Sequence, residues 1–309
     1  MTRFLLRIMS AIAIGCVVVL ALTLFVGHLL DLPNNELIFT GDLGPRYSVI
    51  YRMDIAHRLI ARVRSETLYD LDPVWSPDGR QIAFVSVTES SQTAIYVMDA
   101  EGDRLYRLHE ASLSDFSPTW SPNGQQIAFI RRYNDAPELM LTDFQSGLTR
   151  QLTDNISNKN NPTWSRDNQY LTFASNSADL QDIYNLDVQT GKTQLVFATT
   201  TDLDYPSWSP DGRYLLYIAN GRKAGIYLWD TVSLKSILLN PTRFTPTNAP
   251  DWSADGRFIV YAASTQLRSV GIFQLDVAKC LQAPDNCTPK LLTSPSGFYQ
   301  SPRWRPQTP

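Results

Sequence analysis

The chain has 309 residues, 43% of them apolar, 11% aromatic and 18% charged. That composition supports a large buried core and excludes a disordered or collagen-like chain, and three cysteines are too few for a disulfide-dense scaffold. Lys plus Arg total 27 against 30 Asp plus Glu, a net charge of −3, so no basic excess is present to neutralise phosphates and no nucleic-acid partner is expected.

Residues 8–30 carry no charge apart from a neutral His28, and at 1.5 Å per residue they reach about 34 Å, enough for a hydrocarbon core of about 30 Å. Arg3 and Arg7 precede the run, while Asp31, Glu36 and Asp42 follow it. The positive-inside rule leaves residues 1–7 as a cytoplasmic stub, makes 8–30 a signal-anchor helix and 31–35 a linker, and sends 36–309 across the membrane. Two other readings fit less well. A cleaved signal peptide has a shorter apolar run and a small-residue cleavage site. A lipoprotein acylated at Cys16 conflicts with the dozen apolar residues beyond it.

Six of the seven tryptophans fall at one position of a repeat: Trp75, Trp120, Trp164, Trp208, Trp252 and Trp304, spaced by 45, 44, 44, 44 and 52 residues. Each follows a proline by two. A turn comes next, as in Ser76-Pro77-Asp78-Gly79, with Asn168 where the other copies have glycine. Proline presets the first turn position, and Gly or Asn takes the left-handed one. Short alternating strands follow, Ile82 to Phe84 and Ile95 to Asp99 in the first copy, and a fourth strand completes each unit. No segment after Leu30 holds helical periodicity. The ends are complementary. Leu37 to Phe39 and Ile50 to Asp54 match a second and third strand without a first, whereas Pro302 to Trp304 match a first strand alone. Pairing them closes a ring and removes exposed sheet edges. The expected fold is all-β: a six-bladed β-propeller of four-stranded blades, closed by the C-terminal strand on the N-terminal blade.

The unit Pro-x-Trp-Ser-Pro-Asp-Gly-Arg-x-Ile-Ala-Phe … Ile-Tyr-x-Met-Asp resembles the WD-like repeat of TolB-type β-propellers and covers essentially everything after Glu36. The resemblance implies a bacterial envelope setting. The same propeller occurs in periplasmic interaction proteins, peptidase accessory domains and certain lyases, so it specifies fold more than function. No room for the amino-terminal α/β domain of TolB is expected between Leu30 and Glu36, which puts a Tol–Pal role in doubt.

The repeated aromatics are assigned to packing between blades, and the strand-end aspartates Asp54, Asp99, Asp143, Asp187, Asp230 and Asp276 to turn hydrogen bonds. Cys280 and Cys287, in the turn that lengthens one repeat, are expected to form a disulfide worth roughly 2–2.5 kcal/mol in the chain-entropy model. The three histidines lie apart, and no Gly-x-Ser-x-Gly elbow occurs. No cofactor and no metal are expected. Asp70 with Asp72, and Asp202 with Asp204, supply too few oxygen ligands for Ca²⁺.

Binding is therefore expected at the funnel rim, where residues differ between copies. The candidates are Tyr69, Asp70, Asp72, Asp115, Asn160, Asp202, Asp204, Tyr205, Asn248, Tyr299 and Gln300 at the entries to the inner strands, with Arg46, Arg131 and Arg132 in the loops joining second to third strands. This composition suits a peptide or polar protein partner. The expected function is a membrane-anchored, extracytoplasmic, monomeric and non-catalytic protein- or peptide-binding module. The alternative is an envelope propeller that binds or cleaves glycans with funnel carboxylates.

Overall fold

A computed structural model describes residues 35–306, apart from 43–46, 64–68, 88–90, 110–113, 134–135, 155–156, 177–179, 222–223, 240–245, 266–268, 285–286 and 295. The expected membrane segment at 8–30 and its cytoplasmic stub lie outside the described residues. Among the described residues no helix is long and apolar enough to cross a membrane.

Twenty-four strands form six separate four-stranded sheets. The chain begins with β1 (Glu36–Asp42), β2 (Ser48–Asp54) and β3 (Leu59–Arg62). Blade 2 is β4 (Asp70–Trp75), β5 (Gln81–Val87), β6 (Thr93–Asp99) and β7 (Tyr106–Arg107). Blade 3 is β8 (Asp115–Trp120), β9 (Gln126–Tyr133), β10 (Ala136–Asp143) and β11 (Thr149–Gln151). Blade 4 is β12 (Lys159–Trp164), β13 (Tyr170–Ser175), β14 (Asp182–Asp187) and β15 (Thr193–Phe197). Blade 5 is β16 (Leu203–Trp208), β17 (Tyr214–Ala219), β18 (Gly225–Asp230) and β19 (Lys235–Leu238). Blade 6 is β20 (Pro246–Trp252), β21 (Phe258–Ser264), β22 (Val270–Asp276) and β23 (Lys290–Leu291). The last strand, β24 (Tyr299–Trp304), returns to the start and forms blade 1 in the order β24-β1-β2-β3.

Closure has the register expected from the complementary ends: Leu37 faces Trp304 and Ile38 faces Arg303. Polar contacts lock the joint. Arg305 N donates to Glu36 O at 2.9 Å, and Arg305 Nη1 donates to the Glu36 carboxylate at 2.7 Å. Arg52 holds that same buried carboxylate from β2, and the Arg305 guanidinium lies 4.9 Å from the Trp75 ring centroid in the next blade.

The tryptophans pack between blades, as their repetition suggested. Each core cluster mixes two neighbours: Trp75 with Ile38, Trp120 with Ala83, Trp164 with Ala128, Trp252 with Leu216, Trp304 with Val260. Blade 4 has a threonine at the equivalent position, and there Trp208 Nε1 donates to Thr172 Oγ1 at 2.8 Å.

The turns also follow the sequence. Ser76 Oγ donates to Asp78 at 2.6 Å and accepts from Gln81 N at 2.9 Å, a pattern repeated in blades 3 to 6. Asn168 occupies its left-handed position with φ 64°. The strand-end aspartates accept from turn amides at 2.8–3.2 Å, for example Asp54 from Ala56 and Asp187 from Thr190.

One element departs from expectation. The turn after β22 holds a helix, α1 (Val277–Gln282), N-capped by Asp276, which accepts from Lys279 N. Six residues are too few to show a helical period, so side-chain pattern could not announce it. Cys280 in this helix is bonded to Cys287, with their Cα atoms 4.6 Å apart.

If closure holds the ring, Trp304→Ala should cost about 3–5 kcal/mol through the cavity it leaves. Removing residues 300–309 should abolish a single cooperative melt. Calorimetry checks both, and an unchanged melting temperature in either would contradict the closure.

Candidate functional site

The six inner strands surround a channel of about 790 Å³ along the ring axis. Its walls carry the proline-x-tryptophan segments and the residues that precede them. At the position before the proline, Asp72, Ser117, Asn161, Tyr205 and Ser301 all have φ between 47° and 52°. Pairing shifts register at the same place, between Leu71 and Val74 in blade 2 and between Asp204 and Ser207 in blade 5. This is a bulge built into each inner strand, and it turns a side chain towards the axis that flat pairing would send elsewhere. Left-handed φ is uncommon for non-glycine residues and most unusual for one as large as tyrosine. Blade 6 differs: its pre-proline residue, Ala249, is not among the left-handed ones, and register shifts twice, on either side of Asn248.

Contacts between blades fix the side chains here. Ser301 Oγ donates to Asp72 Oδ1 at 2.7 Å. Asn161 Nδ2 donates to Asp204 Oδ1 at 2.7 Å, and Tyr205 N donates to the same oxygen at 2.8 Å. Across the closure, Trp304 N donates to Asp251 Oδ2 at 2.8 Å. Burial raises the Asp204 carboxyl above its ordinary range, against hydrogen bonds from Asn161, Tyr205 and Gln181 that lower it, while the Asp202 charge adds to the rise. Burial also raises Asp251, opposed by the charge of Arg303. Tyr205 is pushed up to about 12 by burial and by the charges of Asp204 and Asp72. The channel is thus lined by oxygen acceptors held in a poorly hydrated wall, with Arg303 as their cationic counterpart.

Five expected rim residues meet at this channel. Asp72, Tyr205, Asn248 and Gln300 line it, and Asp204 braces it through Asn161. The others lie elsewhere. Asp70, Asp115 and Arg131 are buried rather than exposed at a rim. Asp115 faces Arg131 in register, and Arg131 Nε donates to it at 2.7 Å with His109 Nε2 3.0 Å away. A buried carboxylate needs such a partner, which makes this trio part of the scaffold. Tyr299 packs edge-on against Phe39, Arg132 lies over Phe116, Asp202 accepts from Gln181 N, and Asn160 is half-buried in its pairing with Ala174. Tyr69 is exposed at the foot of β4. Arg46 lies outside the described residues.

Sequence reasoning missed Ser117, Asn161, Asp251 and Arg303: it named the pre-proline residue in blades 2 and 5 but not in blades 3 and 4, and passed over the residue between proline and tryptophan. A signal was present. The residue between proline and tryptophan is Val74, Thr119, Thr163 and Ser207 in four copies but Asp251 and Arg303 in the two that meet at closure.

A family model described as the TolB beta propeller domain matches residues 71–308. No curated protein matches the chain in sequence. Among solved structures, TolB from Acinetobacter baumannii is similar with a TM-score of 0.77 at 19% identity, over 88% of this chain and 67% of that one. A putative TolB from Agrobacterium tumefaciens has a TM-score of 0.68 at 19% identity, over 85% and 100%. An oligogalacturonate lyase in complex with manganese has 0.57 at 16%, over 83% and 73%. Among the described residues, no three His, Cys, Asp or Glu side chains are grouped so that they could hold a metal ion.

The raised Asp204 gives a signed pH effect. A carboxyl raised on folding disfavours the fold when ionised, so its penalty is present at pH 7 and fades as pH falls through the folded value towards the unfolded 3.8. Asparagine keeps an oxygen for Asn161 and Tyr205 N. Asp204→Asn should therefore melt above the unsubstituted protein at pH 7, and the gap should narrow towards pH 4. Thermal melts across that range check it, and a gap that widens on acidification refutes the assignment.

Proposed function

The chain belongs to the TolB beta propeller domain family, and from that premise we propose that it is a non-catalytic module that binds an extended protein segment in its central channel. The carrying observation is the set of left-handed residues at the channel wall, where Asp72, Asn161 and Tyr205 are held by bulges repeated around the ring. Backbone strain of that kind gathers where a side chain must point at a ligand. Walls of proline and tryptophan with a few fixed oxygens and the arginines Arg166, Arg303 and Arg305 suit an extended peptide, which offers amide donors and alternating side chains.

The module acts outside the cytoplasm, tethered through residues 8–30. Arg3 and Arg7 on the short side of the apolar run support that orientation, and the Cys280–Cys287 bond suits an oxidising compartment. A catalytic reading has one observation in its favour: Asp251 in the channel wall and Asp204 behind it are both raised, as a carboxylic acid donor requires. Turnover of oligosaccharides abolished by Asp204→Asn would favour it.

Site-specific photo-crosslinking tests the binding reading. A photoreactive side chain at Gln300 should give protein adducts in whole envelopes, and the same group at Leu195 on the outer strand should not. Asp72→Ala combined with Tyr205→Asn, which keeps a residue tolerant of left-handed φ, should lower adduct yield at Gln300 at least tenfold. Equal adducts at both positions would refute channel binding.

A further inference from the structure

Every inner strand runs towards the Ser-Pro-Asp-Gly turns and every second strand runs away from them. The turns after first and third strands therefore share one face of the ring, and the loops entering the inner strands share the other. The chain enters the described structure at Asn35, immediately before β1, and so on the turn face. Between it and the apolar run 8–30 stand four residues, 31–34, at most about 17 Å of extended chain from Leu30 to Asn35.

The three large apolar side chains most exposed in the described structure belong to the same face. They are Val232 at 76%, Leu148 at 75% and Leu234 at 65%; Leu59 follows at 55%. All four sit in or directly after turns between third and fourth strands. Leu59 is on blade 1, Leu148 on blade 3, and Val232 and Leu234 on blade 5, so the alternate blades carry them, about 120° apart around the axis.

Leu234 stands out further. Four residues after the strand-end aspartate, blades 3 and 4 have Gly147 and Gly191 with φ 70° and 71°, and blade 5 has Leu234 with φ 55°. Its N–H donates to Asp230 O at 2.8 Å, as those glycines donate to Asp143 and Asp187. A leucine here carries both a strained backbone and an apolar side chain in water, and neither is compensated within the ring. Arg58 (φ 55°) fills the same position on blade 1 beside Leu59, and Lys235 follows Leu234. Cations next to exposed apolar residues are the pattern of side chains that enter a bilayer interface. The neighbouring carboxylates of Asp54, Asp143 and Asp230 are turned inward onto turn amides.

We propose that the turn face rests on the lipid surface at three points, with blade 1 held by the tether and Leu59 and with blades 3 and 5 held by Leu148 and by Val232 with Leu234. A tether alone lets the ring tip about blade 1; two further contacts 120° away define a plane. The channel mouth bounded by Pro77, Pro122 and Pro210 then faces the bilayer across a gap too narrow for a folded domain, whose diameter is about 30 Å for 100 residues. Folded partners meet the loop face, and only an extended juxtamembrane segment reaches the turn-side mouth. This inference rests on the membrane tether proposed above.

The test uses the full-length chain with Cys16→Ser in vesicles of phosphatidylethanolamine and phosphatidylglycerol containing spin-labelled lipid. Fluorophores are placed singly at Gln145→Cys or Ser233→Cys on the turn face, and at Asp154→Cys or Asn220→Cys on the loop face. Quenching at both turn-face sites should be at least twofold stronger than at the loop-face sites. Substituting Leu148→Ser, Val232→Ser and Leu234→Asn together should equalise it while the protein stays on the vesicles. Release by an alkaline wash would sink the tether and this inference together. Retention with equal quenching at all four sites, or quenching unchanged by the triple substitution, would sink the three-point contact alone.

Discussion

The pairing of β24 with β1 is the constraint on which the rest depends. Each blade buries its faces against two neighbours, so an open arc of blades would leave two apolar faces in water and two incomplete sheets. Closure satisfies both at one joint, through the 7 residues of β1 and the 6 of β24 near the two ends of the described chain. The joint is correspondingly reinforced. The Glu36 carboxylate receives Arg305 from the last strand and Arg52 from β2, and Arg305 reaches on to Gly79 O and the Trp75 ring of blade 2. Two neighbouring blades are tied together by one carboxylate and two guanidiniums.

Closure also places charge in the channel. Asp251 and Arg303 occupy equivalent positions on β20 of blade 6 and on β24, the strand that joins blade 6 to blade 1. The amide of Trp304 donates to Asp251, so the orientation of that wall carboxylate depends on the last strand being in register. Stability and site geometry are therefore coupled at this joint rather than distributed evenly around the ring.

Much of the fold was legible because the repeat is short and its physics is local. Tryptophan spacing gave the blade count, the Ser-Pro-Asp-Gly turns gave the hairpins, and Asn168 confirmed a left-handed requirement that glycine alone would leave ambiguous. The site was legible only in part. Alternation along a strand assumes flat pairing, and the bulge before each inner proline breaks it; that shift carried Asn161 and Ser117 to the axis. Asp115 and Arg131 looked like surface residues because they are charged and lie near loops, yet their register as direct partners lets both be buried with His109. The Glu138–Lys159 pair, 3.0 Å apart and buried between blades 3 and 4, escaped for the same reason. The helix α1 is set by its cap and a disulfide, neither of which has a period.

A sixfold scaffold is chemically mute where its copies agree, so recognition has to come from the positions where they differ. The tryptophans, the turn serines and the strand-end aspartates are alike in blade after blade and are consumed by packing and hydrogen bonding. The pre-proline residues share one backbone conformation in five blades but differ in side chain: an acid, two hydroxyls, an amide and a phenol. Identical strain with different chemistry separates the two tasks. The bulge supplies direction, the residue supplies selectivity, and one can change without the other. The same logic applies at the turns, where two blades keep glycine and blade 5 places a leucine in the identical conformation; the repeat tolerates the backbone, and the departure lies wholly in what the side chain can touch.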